Sequence, residues 1–88
     1  MNLRHLRTFV AVAEAGGVGR ASARVNLSQP AASRQIHALE AELGVSLFDR
    51  IRQRVQLTSE GEDLLRSSRR LLAEAEALAP AVKVRRYW

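Results

Sequence analysis

The sequence predicts a mainly α domain: three short helices, a β-hairpin and one long final helix. Three observations lead there. The chain of 88 residues is 47% hydrophobic but only 5% aromatic, so Ala, Leu and Val must do the packing, a mixture that favours helix. Apolar residues recur at helical spacing and the pattern stops at glycines, at Gly16-Gly17 and again at Gly44. Between Leu47 and Thr58 the apolar period falls to two, as in strands. A chain of this length makes one small domain with a modest core.

In the first element Leu3, Leu6, Phe9, Val10 and Ala13 share one face, and Gly16-Gly17 supply the C-terminal stop. The second is short, VGRASARV from Val18 to Val25, with Ala21 and Ser22 small enough to let another helix cross closely. Asn26-Leu27-Ser28 is the turn. In the third element, LSQPAASRQIHALEAELG, Ser28 is a good N-cap and Pro30 falls in the first turn, where its missing N–H costs little. Ala32, Ile36, Leu39 and Leu43 form its inward stripe. Two short helices joined by a tight turn are the unit of helix-turn-helix proteins. LFDRIRQRVQLT predicts two strands with Arg52-Gln53-Arg54 near the hairpin tip. Ser59 with Glu62 three residues on matches a capping box, and a long helix is expected from Ser59 to about Ala79, closed by Pro80. Along it Leu64, Ser68, Leu71, Ala75 and Leu78 have the spacing of a coiled-coil seam, with Leu65 and Leu72 as a second row. Two leucine rows exceed what packing on the first helix requires, so pairing of two chains is expected through Leu64, Leu65, Leu71, Leu72, Ala75 and Leu78.

The balance of charge is basic. The formal net charge is +5, and thirteen of the fourteen cationic residues are Arg. Guanidinium binds phosphate and guanine edges bidentately, whereas ammonium acts as a point charge. Cysteine is absent, which excludes a disulfide framework and thiolate metal sites. His5 and His37 have no acidic residue at ligand spacing. No nucleophile–base pair, Gly-rich phosphate loop or buried carboxylate pair is evident, so an enzyme is not expected. The pairs Glu40/Glu42 and Glu60/Glu62 with Asp63 read as helix-surface and first-turn charges. No cofactor, metal or small-molecule site is expected. The N-terminal apolar patch is broken by Arg4, His5, Arg7 and Glu14, unlike a signal peptide. No run approaches the roughly 18 apolar residues that span a bilayer, so a cytoplasmic protein without a membrane partner is expected.

The third helix carries the functional signal. Gln29, Ser33 and His37 stack on one face, with Pro30 and Arg34 beside them, and no acidic residue occurs from Leu27 to Leu39. Gln can pair with adenine, Arg with guanine and Ser with base or phosphate. A helix N-terminus also offers free N–H groups and partial positive charge to phosphate. The hairpin adds Arg50, Arg52 and Arg54 for phosphate contact or a narrow minor groove. The rival is a small basic helical dimer that acts as a protein-interaction module.

The pattern LRHLRTFVAVAEAGG, NLSQPAASRQIHALEAELGVSLFDR and VQLTSEG closely resembles the N-terminal DNA-binding domain of LysR-type transcriptional regulators, from about Leu3 to Leu78. The resemblance implies a winged helix-turn-helix over 1–58, a linker and dimerisation helix over 59–79, and a tail over 80–88 that either starts an effector domain or is disordered. It implies a bacterial transcription factor, nucleoid-associated, that binds a pseudo-palindromic double-stranded DNA operator as a homodimer, with a tetramer the further option once an effector domain is attached. It carries over Ser28, Gln29, Pro30, Ser33, Arg34 and His37 as the recognition-helix set, and Arg50, Arg52, Gln53 and Arg54 as the wing. Two departures stand out. Ser22 replaces a customary Ala, and Gln53 holds a wing-tip position where Arg or Gly is usual, leaving Arg52 or Arg54 to enter the groove.

Overall fold

The computed structural model describes residues 1–51 and 54–86, with side-chain surroundings for 1–49 and 56–82. The order of elements is α1 (Leu3–Ala15), α2 (Val18–Arg24), α3 (Gln29–Leu43), β1 (Phe48–Ile51), β2 (Arg54–Leu57) and α4 (Ser59–Arg86).

Each helix end has a local cause. Asn2 caps α1 by accepting from the Arg4 N–H, and Gly16 ends it at φ 76°. Such a left-handed residue is cheap only where no Cβ is crowded. Gly44 ends α3 in the same way at φ 70°. For α2 the left-handed position falls to Asn26 at φ 58°, and the Leu27 N–H reaches the Ser22 carbonyl at 2.9 Å. Asn tolerates that conformation better than other side chains, so the turn into α3 needs no glycine. The small side chains at the α2 crossing are both buried, and Ser22 Oγ donates to the Gly19 carbonyl at 2.9 Å. Serine in place of alanine there therefore leaves no unpaired hydroxyl.

The core forms where α1, α2 and α3 cross and the hairpin closes one side. Leu6, Phe9, Val12, Ala21, Ile36, Leu39, Leu47 and Phe48 are buried together. The rings of Phe9 and Phe48 meet at 5.4 Å and 52°, a tilted aromatic pair that ties α1 to β1. Inside α3 the stripe is as expected: Ala32, Ile36 and Leu39 are buried and Leu43 packs at the margin. One polar pair crosses between helices, with buried Thr8 donating to Gln35 Oε1 at 2.6 Å.

The two strands pair antiparallel, Phe48 with Leu57 and Ile51 with Arg54. Arg52 and Gln53, expected near the tip, lie outside the described residues, as do the side chains of Arg50 and Arg54.

Two expectations about α4 need correction. Its N-cap is Thr58, not Ser59: Thr58 Oγ1 accepts from the Gly61 N–H at 3.0 Å and donates to the Ser46 carbonyl at 2.7 Å. Ser59 Oγ instead donates to Glu60. Thr58 wins because its own N–H is held by the Leu47 carbonyl at 3.0 Å, which keeps it in the hairpin while its oxygen closes the helix start. At the other end Pro80 does not stop the helix, which continues through it to Arg86. Proline forfeits one hydrogen bond, to the residue 76 carbonyl. Residues 76–82 are exposed, so water can take that carbonyl, and Ala77, Ala79 and Ala81 are strong helix formers on either side.

Candidate nucleic-acid interface

The start of α3 is built to hold polar side chains outward on a rigid support. Ser28 Oγ accepts from the Ala31 N–H at 3.2 Å, and Pro30 fixes the first turn. Ser28, Gln29, Pro30, Arg34 and His37 are exposed and Ser33 is half-buried, so all six expected recognition residues lie on the open side of the helix. The buried stripe on the opposite side prevents rotation of this face. No acidic residue occurs in the first turn, and the first carboxylates after Ser28 come at Glu40 and Glu42. The face therefore offers hydrogen-bond donors together with the positive end of a helix dipole, the chemistry of phosphate and purine edges.

The surroundings add residues that sequence reasoning overlooked. At Gly19, in α2, an added Cβ would stand 3.1 Å from Gln29 Nε2. The Gln29 carboxamide thus lies against the backbone of α2, which limits its freedom. A glycine inside a seven-residue helix was the available signal. Glu40, expected to be a surface charge, accepts from the Leu47 N–H at 2.7 Å and so anchors the entry to the hairpin against α3. Of the wing arginines, Arg50 lies in β1 opposite Val55 and Arg54 lies in β2 opposite Ile51.

On α4 the residues expected to pair two chains are divided. Leu64 and Leu65 pack against the core and Leu72 is buried. Ser68 is also buried, and its hydroxyl has no hydrogen-bond partner among the described residues. Arg69 clamps this side by donating to Glu14 at the end of α1, at 3.0 and 3.2 Å. Leu71 and Leu78 remain exposed, at 45% and 63%, together with Val82 at 53%. Ala75 is half-buried between them. These three exposed residues follow spacings of seven and four, a stripe along one side of the helix.

Among the described residues no cluster of three His, Asp or Glu side chains could hold a metal ion. No described helix is long and apolar enough to cross a membrane.

Comparison with known proteins agrees with this geometry. The profile of a family described as bacterial regulatory helix-turn-helix protein, lysR family, matches residues 3–62. The transcriptional regulator ClcR of Pseudomonas putida is 50% identical over 76 residues, 86% of this chain and 26% of that protein. The regulator TfdT of Cupriavidus pinatubonensis is 51% identical over 83% of this chain and 32% of its own length. The chain thus spans about a quarter to a third of these curated relatives. Among solved structures, a complex of the CbnR DNA-binding domain with DNA is similar at a TM-score of 0.89 and 40% identity, covering 96% of this chain and 97% of that one. A complex of the BenM DNA-binding domain with a catB site gives 0.90 and 38%, covering 94% and 93%.

Proposed function

Because the chain belongs to the lysR family of bacterial regulatory helix-turn-helix proteins, we propose that it binds specific double-stranded DNA sequences as a homodimer. The observation that carries this reading is the capped, acid-free N-terminal half of α3, with Gln29, Ser33 and Arg34 on its open side. Each α3 lies in a major groove, where Gln29 and Arg34 can read purine edges and Ser28, Ser33 and His37 contact base or phosphate. The DNA complexes formed by the similar CbnR and BenM domains support the assignment. Arg50 and Arg54, with Arg52 and Gln53 between them, reach the flanking backbone or minor groove. Two copies pair through Leu71, Ala75 and Leu78, continued by Val82, so the bound sites are pseudo-palindromic. The chain acts as the DNA-binding part of a cytoplasmic, nucleoid-associated regulator and performs no catalysis of its own. Within a longer protein an effector domain follows, and tetramers become available.

Selection of bound sequences from a pool of random duplexes, together with the mass of the complex, tests the reading. The expected result is an enriched two-fold symmetric motif bound by two chains. Equal binding to random and selected duplex overturns it in favour of a basic module for acidic protein partners.

A further inference from the structure

A second basic surface lies beside α3, away from Gln29 and Ser33. Here α1, the end of α2 and the side of α3 enclose an open cleft of about 430 Å³, lined by Arg4, Arg7, Arg24, Leu27, Thr8 and Gln35 among others. None of the described lining residues is acidic, and no ion pair among the described residues involves these three arginines. Glu42, two turns beyond Gln35 on the same side of α3, is held by the α-amino group of Met1 at 3.1 Å. Gln35 is held as well: its Oε1 accepts from Thr8, at 2.6 Å. That bond uses the acceptor side of the carboxamide and leaves its NH₂ donors for the cleft. The charged groups that line this space are thus all cations, with an amide donor beside them.

Arg4 is placed unfavourably for folding, whereas Arg24 sits in the last turn of α2, where the dipole favours a cation. Arg4 stands in the first turn of α1, at the end of a helix dipole that disfavours cations, with no acid in that turn to offset it, and Arg7 follows a turn later. A local cost without a structural gain points to a ligand. We infer that the cleft is an oxyanion site that takes a backbone phosphate of the same DNA duplex, on the strand bordering the groove that α3 occupies. The DNA source is favoured because Leu27, which lines the cleft, is followed in the chain by Ser28 and Gln29 at the start of α3, so the cleft borders the end of the helix on which a duplex would be seated. A free oxyanion such as inorganic phosphate shares the chemistry and is the alternative source. This inference rests on the DNA-binding reading and extends it to α1, outside the helix-turn-helix.

The test uses the whole chain and the variants Arg7→Ala/Arg24→Ala and Gln35→Glu. The second keeps an acceptor for Thr8 while placing a negative charge in the cleft. Binding is titrated over a range of sodium chloride on the selected duplex, and on one trimmed to the base pairs read by α3. A further arm replaces chloride with inorganic phosphate at constant ionic strength. On the long duplex the double variant should flatten the log–log salt dependence by roughly 0.9 per lost phosphate contact. Gln35→Glu should weaken binding to all sequences alike, and on the trimmed duplex all three proteins should behave equally. Unchanged slopes on the long duplex overturn the inference. So does an effect of inorganic phosphate that the variants abolish while their salt slopes match the parent, since the cleft then serves a free anion. If the parent chain fails to distinguish selected from random duplex, it is the DNA-binding reading that falls. If it distinguishes them and the variant slopes are unchanged, only the cleft assignment falls.

Discussion

Single residues decide what α3 can read, and two of them make sharp predictions. Arg34 is exposed on the open side of the helix. If it reads a base, Arg34→Ala should cost about 1–3 kcal/mol and relax preference at one position of the selected site. A uniform loss over all sequences, measured by competition with single-base variants, would make it a phosphate contact instead. Gly19 faces the Gln29 amide. Gly19→Ala should raise helix stability by up to about 1 kcal/mol and still weaken DNA binding, because the methyl group displaces the flexible end of Gln29. Thermal unfolding and DNA titration of the same variant check the opposed signs; parallel losses would mean that Gly19 serves only folding. At this scale the sequence was informative wherever a residue acts through its own backbone: Ser28 as cap, and Gly16 and Gly44 as left-handed ends. It was silent on Thr8 with Gln35 and on Glu40 with Leu47. Those bonds join residues 27 and 7 positions apart, and no local pattern encodes them.

At the scale of elements, the junction between the hairpin and α4 is the most constrained point. A Cβ on Gly61 would stand 2.2 Å from the Leu47 carbonyl oxygen and 2.9 Å from the Leu57 side chain. Gly61→Ala should therefore destabilise by about 1–3 kcal/mol despite the better helix former, read as a lower urea midpoint at fixed protein concentration. An unchanged midpoint would mean that α4 shifts freely at its start. The α1–α4 contact makes the opposite prediction. Ser68 buries a hydroxyl without a partner among the described residues, so Ser68→Ala should stabilise by about 1 kcal/mol. A loss of similar size would reveal a bond to that oxygen. The ends of α4 were misjudged in the sequence for a physical reason. Ser59 is by type the better cap and Thr58 a competent one, and the bonds to Ser46 and Leu47 select Thr58. Pro80 is a strong stop signal, but an exposed helix rich in Ala can absorb it. The two leucine rows of α4 share one spacing, and their division follows from where α1 lies.

For the whole molecule, the long axis measures 56 Å against 25 and 19 Å across, because α4 extends well beyond the helical core. Its exposed Leu71, Leu78 and Val82 are the surface through which the proposed dimer forms. Leu71→Glu/Leu78→Glu should yield monomers by sedimentation with an unchanged helical spectrum. Affinity for a duplex carrying both half-sites should then fall by roughly 10²-fold or more, to that of a single half-site. A stable dimer of this variant would move the interface elsewhere. The Thr58 and Gly61 junction gives this architecture a geometric consequence. With the cap oxygen bonded on both sides and no room for a side chain against Leu47, the start of α4 is held closely against the winged domain. In a dimer the distance between the two recognition helices is then a ruler whose length is set by the register of the α4 seam. A slip of one heptad would change it by about 10 Å, a sizeable fraction of the 34–36 Å between half-sites one turn apart. Operator spacing becomes a readout of helix pairing far from the bases.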